Sequence, residues 1–446
     1  MTLDPVLLAR IQFAFTISFH IIFPAFTIGL AGYLAAIEAL YLKSKNIIYK
    51  EIYKFWVKIF AIIFGMGVVS GVVLSYELGT NWAGFSFATS NVLGPLFGFE
   101  VLTAFFLEAS FLGIMLFGWE RVSAKMHFTS TCIVAFGTVV SAFWILAANS
   151  WMHTPQGFMV KDNVFYPVNW LEIIFNPSFP YRFFHMVIAT YLTCAFVVAG
   201  VSSWLLWKNR ESLHAKIMLK MALNFIIIFV PLQIAVGDMH GLNTLHHQPA
   251  KVAAMEGIWE TEKGAPLTLF GIPDEESETT KYAIRIPKMA SMILTHDPKG
   301  EIAGLKSFPK DQRPPVLPIF IFFRVMVGIG VLMLATGVMA LYLYRKRKLF
   351  EARWFQLWCM AMTPSGFIAL LSGWFVTEIG RQPYVVYGLL RTREAASVIA
   401  AGQVLFSLIV FVVVYFVIFG SATFYILRQI AKGPQKIEGP IQTLNK

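Results

Sequence analysis

The chain has 446 residues, of which 57% are apolar and only 14% charged, and its mean hydropathy is +0.65. A soluble domain carries about 25% charged residues, so composition excludes that class and points to a chain governed by the bilayer. The net charge of +11 sits mostly between apolar runs, which is the pattern of membrane topology and not that of a nucleic-acid surface.

The apolar runs are long and lack strand alternation, so they are expected to be helices. Nine spans are predicted, near 15–42, 54–79, 94–119, 127–151, 181–207, 217–238, 317–344, 354–378 and 395–427. The first lacks a basic leader and is too long for a signal peptide, so it is expected to remain as a helix. The connections alternate in charge. Lys43, Lys45, Lys50, Lys54, Arg121, Lys125, Lys208, Arg210, Lys216 and the run from Arg345 to Lys348 fall on one side, and the C-terminal tail adds Arg428, Lys432 and Lys436. The expected architecture is an all-α polytopic membrane protein with its N-terminus outside and its C-terminus cytoplasmic. It divides into helices one to six (1–238), a polar external segment (239–316), and helices seven to nine with a tail (317–446). The external segment carries the acidic cluster Asp274, Glu275, Glu276 and Glu278, and a loop of this length is usually functional. Arg381, Arg391 and Arg393 break the charge pattern, which makes them candidates for site roles.

This topology acts as a ruler. His20, His185, Met326 and Glu378 fall on different spans at a similar outer depth. Each has a plainer reading. A lone helix histidine is usually hydrogen-bonded, a methionine usually fills a core gap, and Glu378 could simply pair with Arg381. A histidine with a methionine is also an axial pair for a low-spin haem, and a lone histidine or glutamate suits a five-coordinate one. Arg324 and Arg381 could pair with haem carboxylates. Glu100 and Glu108 lie about 12 Å apart along span three and about 80° apart around it, the pattern of a proton relay or of two protonated, hydrogen-bonded acids. Ser141 and Asn149 could extend such a path, and His127 reads as an entry point or an interfacial residue. The cysteines, Cys132, Cys194 and Cys359, sit inside apolar runs, and no Cys-x-x-Cys-His attaches haem covalently. A transporter is the rival class, but the internal repeat it predicts is not evident.

GRQPY at 380–384 resembles the GRQPW motif of subunit I of the cytochrome bd-type quinol oxidases. FAFTISFH, GTNW, FEVLTAFFLEAS, FGWERV, SAFWILAANSWM, FFHMV, GDMHG, KVAAMEGIWET, LFGIPD and FFRVMV follow in family order over nearly the whole chain. The resemblance implies that His185 and Met326 hold a low-spin haem b. It implies that His20 and Glu378 serve two high-spin haems, one b and the other d or a further b, without saying which residue serves which. Glu100 and Glu108 match the acidic pair of the oxygen-reducing site and its proton path, Lys251 and Glu256 match quinol-binding residues, and Arg324 and Arg381 match arginines near the haems. The implied reaction oxidises membrane quinol outside and reduces dioxygen to water with cytoplasmic protons, without pumping. The implied partner is a homologous subunit II, with small single-helix subunits as a further option, and the implied location is the bacterial plasma membrane. Tyr384 departs from the motif's Trp. The segment after span six lacks the long insertion of some members, and GDMHGLNTLHHQP resembles the cyanide-insensitive branch.

Overall fold

The computed structural model describes residues 4–437. Among them, nine helices are long and apolar enough to cross a membrane. They are span one (Pro5–Ser44), two (Ile47–Thr80), three (Ala83–Phe117), four (Ala124–His153), five (Phe179–Lys208), six (Leu213–His247), seven (Val316–Arg345), eight (Arg353–Ile379) and nine (Ala401–Lys432). Local chemistry sets their starts. Asp4 accepts from the Val6 amide at 3.0 Å, with Pro5 in the first turn, and Asn46 accepts from Ile48 at 3.1 Å. Ser123 and Ser212 cap spans four and six in the same way.

Most boundaries differ from the sequence expectation: spans one, two and three start at Pro5, Ile47 and Ala83, earlier than 15, 54 and 94. Span six runs on to His247, through a stretch read as loop. Span nine starts at Ala401, since 396–400 are not helical. Span eight is two helices, Arg353–Ala361 and Ser365–Ile379. Pro364 between them lacks the amide that would continue the ladder.

The interior lies between spans one, two, five and six, around Leu30, Leu34, Tyr53, Trp56, Phe60 and Phe196. Lipid offers no hydrophobic drive for helices to associate, so close approach matters. A Cβ at Gly29 would lie 2.6 Å from the Thr190 carbonyl, so only glycine lets spans one and five meet there.

The segment between spans six and seven is structured. It opens with a short helix (Pro249–Glu256), followed by a hairpin of Leu267–Asp274 against Thr279–Ile286. Its acidic cluster is used structurally. Glu278 pairs with Arg313 at 2.9 Å and Lys310 at 3.1 Å, Asp274 pairs with Lys281, and Glu275 accepts the first amide of span seven at 2.7 Å. Arg391 and Arg393 pair with Asp311 at 2.6 Å and with Asp4 at 3.0 Å, in partly exposed bridges.

Candidate functional site

Ile17, Ile21 and Ala25 of span one pack against Met186 and Ala189 of span five and against Leu370, Leu371 and Trp374 of span eight. His20, His185 and Gly373 adjoin these residues in sequence, so their turns share one level of the bundle. The same end carries the segment between spans six and seven, and is called the loop end below.

Each candidate ligand on this level rests against a glycine of a neighbouring helix. A Cβ built at Gly71 would lie 3.2 Å from His20 Cε1, and one at Gly237 would lie 3.2 Å from His185 Cε1. A Cβ at Gly373 would lie 2.9 Å from Met326 Sδ. His20 Nδ1 is 2.9 Å from Ser70 Oγ. Gln233 Nε2 donates to the His185 carbonyl at 3.1 Å and lies 3.3 Å from the ring nitrogens. The His185 and His240 rings meet edge to face at 5.6 Å.

Glu378 ends span eight inside a polar cluster. It accepts from Asn149 Nδ2 at 2.9 Å, lies 3.4 Å from His153 Nε2, and is bridged by Arg381. Lys251 Nζ is 3.3 Å from His153 Nδ1, and Gln248 Nε2 donates to the His153 carbonyl at 3.1 Å. Arg182 reaches Asn149 at 3.5 Å. The cations outnumber the anions. Arg182 Nε and Arg381 Nε and Nη1 are buried without partners. Burial, then the charges of Arg182 and Arg381, drive the Lys251 ammonium well below its ordinary range, against the pull of Glu378.

A haem needs an axial donor, room for a flat ring, and cations for its carboxylates. Single donors at His20, His185, Met326 and Glu378, glycines beside three of them, and unpartnered guanidinium N–H groups at Arg182 and Arg381 fit that group.

Arg324, on span seven, faces the short helix. Its guanidinium donates to the carbonyls of Thr268, at 2.6 and 3.1 Å, of Phe320 at 3.2 Å, and of Met255. It thereby ties the hairpin and the short helix to span seven. The anion it faces is Glu256, whose Oε2 is 3.5 Å away and accepts no hydrogen bond. Burial pushes the Glu256 carboxyl up to about 7, with Arg324 opposing. Lys251 and Glu256 are five residues apart, or about 140° around a helix, so they look into different surroundings. A cavity of about 250 Å³ opens beyond the short helix, with Trp259, Thr268, Arg285 and Lys306 among its walls.

Glu100 and Glu108 both face span four. Ser141 Oγ donates to Glu100 Oε1 at 2.7 Å, and a Cβ at Gly137 would lie 2.9 Å from Glu108 Cγ. The 80° offset expected for a regular helix is removed by a π-turn at Val101–Phe105. One inserted residue takes up about 100°, which leaves the two acids about 20° apart. Glu108 Oε1 has no partner. His127, in the first turn of span four, is buried. It is 1% exposed and holds Glu38 at 2.6 Å.

Sequence reasoning missed His153, Arg182, Gln248, Gln233 and Ser70. Arg182 carried a signal, since an arginine one turn before a candidate ligand is costly at that depth. The others are ordinary polar residues until their partners across the helices are known.

A family model for cytochrome bd terminal oxidase subunit I matches residues 8–434. The chain is 36% identical over 446 residues to a cytochrome bd ubiquinol oxidase subunit 1 of Bacillus subtilis (strain 168), covering 97% of this chain and 95% of that one. It is 31% identical over 504 residues to a cytochrome bd-II ubiquinol oxidase subunit 1 of Escherichia coli (strain K12), covering 98% of each. A putative cytochrome bd menaquinol oxidase subunit I of Bacillus subtilis (strain 168) is 31% identical over 432 residues, covering 95% of this chain and 96% of that one. The solved bd oxidase of Geobacillus thermodenitrificans superposes with a TM-score of 0.90 at 32% identity, covering 97% of this chain and 99% of the matched one.

Proposed function

This chain belongs to the cytochrome bd terminal oxidase subunit I family, and from that premise we propose that it oxidises membrane quinol at the loop end and reduces dioxygen to water with protons drawn from the opposite side. It is a multi-pass bacterial membrane protein. The observation that carries the proposal is the surplus of buried cations around Glu378: Arg182 and Arg381 keep unpartnered N–H groups that call for bound carboxylates.

In this reading His185 and Met326 hold a low-spin haem b. His20 and Glu378 serve two high-spin haems, one b and the other d or a further b. Bound there, the haems supply one-electron transfer and dioxygen reduction. The chain's own groups do the rest. Arg182 and Arg381 neutralise the haem carboxylates, and Glu256 takes a quinol proton while Lys251 helps seat the quinone head. The names of relatives that act on ubiquinol and menaquinol support quinol as the substrate class. Glu108 and Glu100, on one face of span three, pass protons towards the oxygen site. The N-terminus and the loop end lie outside, the C-terminus lies in the cytoplasm, and the segment between spans six and seven binds quinol. Proton release on one side and uptake from the other then store energy without a pump. A homologous subunit II completes the oxidase, with small single-helix subunits as a further option.

The test is a dithionite-reduced minus oxidised spectrum of the purified complex, repeated with carbon monoxide. Bands of b type with a far-red band, or b bands that shift with carbon monoxide, are expected. Met326→Leu should remove the low-spin component. A parent complex without haem bands would overturn the proposal, and a Met326→Leu spectrum identical to the parent would refute that ligand.

A further inference from the structure

Ser70 is fully buried on span two, and its hydroxyl has a single proton. That proton is committed: Ser70 Oγ donates to the Gly67 carbonyl one turn back, at 2.9 Å. Oγ is also 2.9 Å from His20 Nδ1. With its proton spent on Gly67, the hydroxyl can only accept from the ring, so the shared hydrogen belongs to Nδ1. Gly71 supports the same geometry. A Cβ there would lie 3.2 Å from Cε1 and 3.8 Å from Nδ1 of His20, and would reach no other ring atom within 4 Å. The Nδ1–Cε1 edge therefore lies on the backbone of span two, and Nε2 faces away.

We infer that Ser70 is a positioning residue that holds His20 in the Nδ1–H tautomer and so delivers the Nε2 lone pair to a haem iron. The relay runs from Nδ1–H to Ser70 Oγ and from the Ser70 hydroxyl to the Gly67 carbonyl. It makes Nδ1 a donor and raises the basicity of Nε2 towards the metal. Glycine at 71 keeps the wall flat enough for the ring to lie in that orientation. The inference rests on the reading of His20 as an iron ligand, and it assigns Ser70 and Gly71 functions that their residue types alone do not.

The experiment compares His20→Ala, Ser70→Ala, Ser70→Cys and Ser70→Thr in the complete membrane complex. It reads haem content and the iron–histidine stretching band of the ferrous five-coordinate haem by resonance Raman. His20→Ala should lose one high-spin haem. Ser70→Ala should retain it with a lowered stretching band, and loosen its retention about 10- to 100-fold. Ser70→Cys fills the same volume with a poor acceptor and should behave like the alanine variant, whereas Ser70→Thr keeps the hydroxyl and should restore the parent band. If His20→Ala loses the haem but the alanine and cysteine variants keep the parent band, the Ser70 inference fails while the ligand reading stands. If His20→Ala keeps every haem, both fail. If Ser70→Ala does not assemble, Ser70→Cys decides by the same readout.

Discussion

At the end of the bundle away from the loop, Glu38, Tyr53, His127 and Thr131 bury a closed polar cluster. His127 Nδ1 and Thr131 Oγ1 each meet a Glu38 oxygen at 2.6 Å, and Tyr53 donates its hydroxyl to Thr131 at 2.9 Å. Only His127 Nε2 is left without a partner in that group. At the loop end, Arg182, Lys251 and Arg381 are buried around Glu378, which is itself partly exposed, and several N–H groups stay unpartnered. Buried polar groups are normally satisfied, because each unmet one costs about 1–3 kcal/mol. A cluster that closes on itself is read as structure. One that leaves cations open is read as half of a complex with something anionic.

The sharpest way to break this contrast is Arg381→Leu. It removes the bridge to Glu378 and one of the open cations. Turnover should fall by about 1000-fold, comparable to the roughly 4 kcal/mol of a severed buried pair, and a high-spin haem should be depleted. Parent levels of oxygen uptake and haem would remove the distinction between the two ends.

Glu256→Gln sharpens it at the edge of the loop end. Glu256 is held near 7 by burial, so quinol oxidation should rise as pH climbs through that value and the group becomes a base. The variant should lack this rise and be about 100-fold slower at pH 8. Stability changes the opposite way. The raised value favours the folded chain fully below the ordinary carboxylate range near 4.5, and that contribution is lost as pH passes about 7. A variant with an unchanged pH profile would exclude Glu256 as the base.

The smallest effect is expected at the closed cluster. Glu38→Gln should cost about 1–3 kcal/mol of stability, seen as a lower melting temperature. Haem content and turnover of the folded protein should not move. Lost turnover without lost stability would mean that the inner cluster carries protons, and the two ends would differ less than their hydrogen bonds imply.

The spans were legible because long apolar runs and basic connections are properties of contiguous sequence. His20, His185, Met326 and Glu378 were legible as candidates because topology gives depth, and the structure does bring the first three turns to one level. Ser70, Gly71, Gly237 and Gly373 were not, since a hydroxyl or a missing Cβ matters only when a neighbouring helix arrives opposite it. Arg324 was legible as a cation at that depth, but not that its guanidinium would donate to the carbonyls of Thr268, Phe320 and Met255 and lie 3.5 Å from Glu256. The split in span eight was available from Pro364, but the hydropathy of the run hides it.

The π-turn at Val101–Phe105 makes the pairing of Glu100 with Glu108 a matter of chain length. A substitution that regularised the turn, with no residue lost, would leave both acids in the sequence and rotate one carboxylate about 100°, back to the offset of about 80°. Deleting the extra residue would also give regular helix, but with about 700° of turn between the acids, so they would keep one face. Span three therefore tolerates loss of the turn only together with loss of a residue. Its reading frame around the helix axis is as much a functional property as the identity of its glutamates.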